Sequence, residues 1–129
     1  MISAKDDSID EFRSDTRLLE RVSFPWETHQ WFSSGFDEQE AMLKRAETCT
    51  REFSSTMSYS QATLRRLHQS HLPEKGPYSI CMHREDACIV SYTEVIVKSQ
   101  TISIAYLEGA PCKATSWSKS KLPRSGFPC

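Results

Sequence analysis

The chain is short of the residues that several functions require. It has four glycines in 129 residues, and none falls in a glycine-rich run of the kind that cradles a phosphate. No apolar run approaches the roughly 20 residues that span a bilayer. The opening MISAKDDSIDEF lacks the basic and apolar regions of a secretory leader. The closing SGFPC matches no retention or peroxisomal address, and Cys129 stands too late for a prenylation box. Charge of one sign is lacking too. The formal net charge of −1 argues against a general electrostatic grip on nucleic acid or anionic lipid. There are no internal repeats. The expectation is a soluble, cytoplasmic protein that binds neither nucleic acid nor membrane.

What is present is ordinary for a globular chain, with 38% hydrophobic and 26% charged residues. The length suits one domain better than two. The five cysteines, Cys49, Cys81, Cys88, Cys112 and Cys129, are odd in number and irregularly spaced. Reduced thiols are therefore expected, not a disulfide framework.

Residues 8 to 22 read as a helix, with Ile9, Phe12, Leu19 and Val22 on one face and a Ser8/Glu11 capping box. Pro25 ends it. The aromatic loop that follows carries Trp26 and Trp31, which seal a loop onto a core or cradle a ligand. A second helix is expected from about Asp37 to Glu52, with Met42, Leu43, Ala46, Cys49 and Phe53 as its apolar stripe. A third is expected with Ser58 as cap and Gln61 completing the box, presenting Ala62, Leu64 and Leu67 and leading to His68 and His71. Beyond Pro73, Gly76 and Pro77 the β-branched content rises, and Tyr78 to Met82, Ile89 to Val97 and Thr101 to Leu107 read as strands. Lys98, Ser99 and Gln100 make a short reversal, so the last two runs form a β-hairpin. The tail 113–129, small and basic, is expected to be disordered. The fold class is α+β, N-terminal helices followed by an antiparallel hairpin. Two or three strands cannot cover both faces of so apolar a sheet, and the sequence reads as half of a larger one.

Three chemistries compete for the cysteines and histidines. Cys81 and His83, two apart, share one face of a strand with their Cα atoms ~7 Å apart. A metal would take Cys81, His83 and Cys88, with His71 as a further ligand, but the tight CxxC or HxxxH pairs usual for zinc are missing. No metal and no cofactor are expected. A nucleophilic pair would join Cys81 to His71 or His83. The remaining reading is structural, a buried strand cysteine beside a hydrogen-bonded histidine. Glu85 and Asp86 sit in a turn, where solvated carboxylates are more common than an acid/base dyad. Lys113, Lys119, Lys121 and Arg124 offer no more than non-specific contact with anions.

From Met42 to Cys112 the order of motifs is distinctive. A helix carries KRAE (Lys44 to Glu47), a second reads YSQATLRRLHQSH up to His71, and PYSICMH, IVSYTEVIV and YLEGAPC follow. This order resembles the C-terminal part of the acyl-CoA:6-aminopenicillanic-acid acyltransferase family (isopenicillin N acyltransferase-like proteins, peptidase family C45). Family members read RxxRAxxLL, LxxILxDH, SICRH, TVxSxIxD and GxPC in that part. The positions that match are His71, Ser79, Cys81, His83, Ser91, Gly109, Pro111 and Cys112. Ser91-Tyr92 departs from the small pair of the family's TVxS, and Arg84-Glu85-Asp86 makes a short connection.

The resemblance implies an N-terminal-nucleophile hydrolase with an αββα sandwich, of which residues 1–112 would be the C-terminal part. In such enzymes a precursor cuts itself before a cysteine, whose thiol then attacks an amide or thioester carbonyl with its own α-amine as base. The outcome is amide hydrolysis or acyl transfer to an amine. No cysteine here stands at the nucleophile's place. Cys49 lies inside the helix after KRAE, Cys81 in the SICRH-like strand and Cys112 at the end of the domain. The matching positions are therefore expected to be structural, the chain inactive alone, and its partner a complementary chain with an N-terminal cysteine. The alternative is a small non-enzymatic binding module that uses exposed sheet edges.

Overall fold

The computed structural model describes residues 2–4, 8–14, 17–25, 27–32, 34–54 and 60–124. They belong to two units, residues 1–31 and 32–129. Trp26, Ser58 and Cys129 lie outside the described residues.

In the first unit, β1 (Ile2–Ala4), β2 (Ser8–Ser14) and β3 (Leu19–Pro25) form an antiparallel sheet in that order. This corrects the helix expected over residues 8 to 22. The spacing of Ile9, Phe12, Leu19 and Val22 fits a helical face, but the polar residues decide for strands. Asp10 is almost fully buried at 1% exposure. Ser23 Oγ donates to its carboxylate at 2.5 Å, and Arg21 pairs with it at 2.8 Å. Both partners come from β3, where Asp10 stands opposite Ser23. A buried carboxylate requires such partners, and only a hairpin brings them across. Trp31 packs edge-on against Phe24 with ring centroids 5.9 Å apart, so it seals the loop after β3.

The second unit holds α1 (Glu38–Ser54), α2 (Gln61–Gln69) and the sheet β4 (Ser91–Val97), β5 (Thr101–Glu108), β6 (Trp117–Pro123). The architecture is α+β. The α1 stripe is rotated from the one expected. Ala41, Arg45, Thr48 and Cys49 face inward, while Met42 and Leu43 are exposed. The reason lies in what α1 covers. Arg45 Nη2 donates to Pro77 O at 3.0 Å, and Thr48 Oγ1 lies 3.5 Å from Leu72 O. A helix packed on irregular backbone needs donors for unpaired carbonyls as much as it needs methyl groups. Burial pushes the Cys49 thiol up to about 11, which makes it an inert packing residue.

Helix α2 is capped by Ser60, whose hydroxyl accepts from Thr63 N at 3.2 Å. It buries Thr63 and Leu67 and leaves Leu64 and Ala62 outside, so the inward face is again not the one expected. Arg65 forks onto Glu94 of β4, with its Nε at 2.9 Å, and Gln61 donates to the same carboxylate. Glu94→Ala is expected to lower unfolding stability by about 2 kcal/mol, because a charge-assisted pair is lost at a half-buried site. The Arg65 hydrogen bond chiefly holds the Glu94 carboxyl below its usual range. The pair's contribution is therefore full above the unfolded value near 4.5 and fades as pH falls through the lower folded value. Denaturant titrations of both proteins across acid pH would show the two curves converging.

The hairpin is as expected. Tyr92 pairs with Leu107 and Val97 with Ile102, and Lys98 N donates to Thr101 O at 2.8 Å around the reversal. Two expectations are corrected. Residues 117–123 form β6, pairing with β5 from Leu107↔Trp117 to Thr101↔Pro123, where a disordered tail was expected. Residues 78–82 form turns and bends instead of a strand.

The faces of this sheet differ sharply. One bears Tyr92, Glu94 and Leu107 beneath α2, with Tyr92 stacked near His68 and Arg65 lying 4.5 Å over the Trp117 ring. The other bears Val95, Val97, Ile104, Ile102, Tyr106 and Leu122, placed side by side by the register. On it Val95 and Val97 are each 58% exposed and Leu122 52%.

Candidate metal centre

The C-terminus of α2 delivers the first residue of the site. Ser70 caps the helix, its N–H donating to Leu67 O, and His71 follows directly. The chain then loops back, and Cys81 N donates to Ser70 O at 3.0 Å, which brings Cys81 alongside His71. The buried Ser79 hydroxyl lies 2.9 Å from Gly76 O and 2.8 Å from Cys81 O and fixes the bend between them. His83 N donates to Gly76 O at 3.1 Å. His83 also bridges Cys88 through the backbone around a tight turn in which Arg84 pairs with Asp86. Glu85 and Asp86 are exposed in that turn, as expected.

The fourth residue arrives from far along the chain. At the end of β5, Gly109 adopts a positive φ of 91° and donates its N–H to Val90 O at 2.7 Å. That left-handed conformation suits glycine, and it turns the chain so that Ala110-Pro111-Cys112 folds back under α2. Gln69 Nε2 donates to Pro111 O at 3.2 Å, tying the helix end to this turn. Ser91 opens β4 opposite Glu108 and takes no part in the cluster.

His71, Cys81, His83 and Cys112 thus converge, each offering one donor atom, and all four atoms lie within 4.8 Å of one another. His83 Nε2 is 3.7 Å from Cys81 Sγ and 3.4 Å from Cys112 Sγ. The two imidazoles lie with centroids 5.2 Å apart and planes tilted by 59°. His71 Nε2 is buried without a hydrogen-bond partner. Burial, and then the positive charge of Lys75, lowers the His83 pKa. Burial pushes the Cys81 thiol up, although the Cys112 N–H facing its sulfur works the other way.

The set that a metal reading of the sequence would use differs from the observed group in one member. Cys88 is exposed and does not join the group, and Cys112, which no metal reading of the sequence included, takes its place. The available signal was its GxPC position, read only as a domain end. The nucleophilic reading gains little. Cys81 is fully buried at 0% exposure, and the open groove beside His83, lined by Phe36, Pro77 and Arg84, does not include it. A thiol so shielded has no open approach for a carbonyl substrate.

Among the described residues, no helix is long and apolar enough to cross a membrane. Comparison with family models, with curated proteins and with solved structures finds no match for this chain.

Proposed function

We propose that this chain is the non-nucleophilic part of a C45-type amide hydrolase or acyltransferase, supplying one α/β half of an αββα sandwich. The observation that carries this reading is the two-sided sheet. Helix α2 lies over one face, while the other presents Val95, Val97 and Leu122 exposed, with Ile102 and Ile104 half-buried between them. A three-stranded sheet with a helix on one side and exposed aliphatic residues on the other is the layer order of half a sandwich. The occupant of that face is a second sheet from a complementary chain or segment, whose N-terminal cysteine attacks an amide or thioester carbonyl. Further support comes from the resemblance itself, since four of its matching positions, His71, Cys81, His83 and Cys112, meet at one point. They bind the α2 end to the sheet end and leave the chemistry to the partner.

The rival reading, a binding module that adds a partner strand at a sheet edge, is weakened by β6. This edge carries Lys119 and Lys121, both exposed, and lysines on an edge discourage strand addition. The test is turnover of simple amide and thioester substrates by the purified chain, before and after thiol alkylation. The expected result is no turnover in either case. Turnover abolished by alkylation would place a working nucleophile in this chain and overturn the proposal.

A further inference from the structure

We propose that His71, Cys81, His83 and Cys112 form a closed, four-coordinate zinc site that is structural in role. The inference does not depend on the hydrolase reading, since it rests on the donor geometry alone. In a tetrahedral centre with Zn–S near 2.3 Å and Zn–N near 2.05 Å, sulfur and nitrogen ligands sit about 3.6 Å apart. The Cys81 and Cys112 sulfurs lie 3.7 and 3.4 Å from His83 Nε2, so two edges of that tetrahedron are in place. The remaining donors are all within 4.8 Å, and contraction of about 1 Å at the longest edge would complete it.

Hydrogen bonding alone explains the arrangement poorly. A neutral imidazole bearing its proton on Nε2 has one hydrogen to offer two sulfurs. His71 Nε2, in the same cluster, is buried with no partner at all. A metal ion satisfies all four atoms at once. Two soft thiolates and two imidazoles select zinc over magnesium or calcium, which take oxygen ligands. Four protein ligands leave no open position, which is the mark of a structural site. On binding, Zn²⁺ displaces the two thiol protons to solvent, and the resulting centre is electrically neutral.

The fold supplies a use for such a centre. Residues 70–90 join α2 to β4 with turns, bends and isolated bridges only, a length at which irregular loops are uncommon in compact domains. Zinc would staple three points of this loop to the turn after β5. Outer partners are present too, with Ser79 holding the Cys81 carbonyl and Gln69 holding the turn that bears Cys112.

The experiment is elemental analysis of the full chain, expressed with zinc and purified under reducing conditions. Equimolar zinc is expected, falling at least about tenfold in Cys112→Ser and in His71→Ala, and unchanged in Cys88→Ser. Should the serine variant fail to fold, Cys112→His is expected to retain zinc. Cobalt added to the metal-stripped wild-type chain is expected to give tetrahedral visible bands with thiolate charge transfer. Chelation should lower the melting temperature by about 10 °C. A folded wild-type chain without zinc would overturn the site, as would zinc retained at wild-type stoichiometry in Cys112→Ser, which is adventitious metal only. Failure here leaves the hydrolase reading standing, and turnover by the isolated chain would leave the zinc site standing.

Discussion

Leu107→Ala is expected to lower the unfolding free energy by about 3 kcal/mol, the largest effect of any single truncation in the second unit. Leu107 is 1% exposed and stands on the central strand. Its register neighbours are Tyr92 on one side and Trp117 on the other, whose rings meet edge-on at 5.9 Å. Truncation removes the aliphatic group between two aromatics, and neither ring can collapse into the gap, because Tyr92 is held by His68 and Trp117 by Arg65. Domains of this size are stable by roughly 5–15 kcal/mol, so a unit with one uncovered sheet face stands to lose a large share of its margin. Urea denaturation of the wild-type and variant chains checks this. A loss below about 1 kcal/mol would mean that Leu107 is not a keystone of this core.

Val95→Lys is expected to do the opposite of Leu107→Ala, sparing the chain and damaging its assembly. Val95 is 58% exposed, opposite Ile104 on the bare face. In the isolated chain a lysine there stays solvated, changes stability by less than about 0.5 kcal/mol and reduces self-association by breaking the apolar patch. In the proposed sandwich the same ammonium group would be buried between sheets without a counter-charge, which would weaken association by about 100-fold or more. Thermal melting measures the first effect, and calorimetric titration with a complementary chain recovered alongside the native protein would measure the second. Equal affinity for both proteins would remove this face from the interface.

How much of this was legible in the sequence varies along the chain for physical reasons. The β4–β5 hairpin could be read because Ile102, Ile104 and Tyr106 alternate and the reversal is short. Helices α1 and α2 could be located, but not their inward faces. Their packing partner is the irregular backbone around Leu72 and Pro77, which asks for Arg45 and Thr48, and a search for apolar stripes does not register that demand. Residues 8 to 22 misled because Ile9, Phe12, Leu19 and Val22 suit either period. The burial of Asp10 between Ser23 and Arg21 is a long-range fact that no local window contains. Strand β6 was missed because its outward residues are lysines and serines and its stability comes from pairing with β5. For the cluster, His71, Cys81 and His83 were visible as candidates. Cys112 was not, since its approach depends on the hairpin being folded and on Gly109 turning the chain.

The central claim is that this chain is one half of a sandwich. Its most direct test is the intact mass of the native protein, isolated from its source under non-denaturing conditions, with N-terminal sequencing of any chain that travels with it. The account predicts a complex or a longer precursor in which the complementary segment begins at cysteine once cut. A lone, cooperatively melting chain of 14.8 kDa would contradict it.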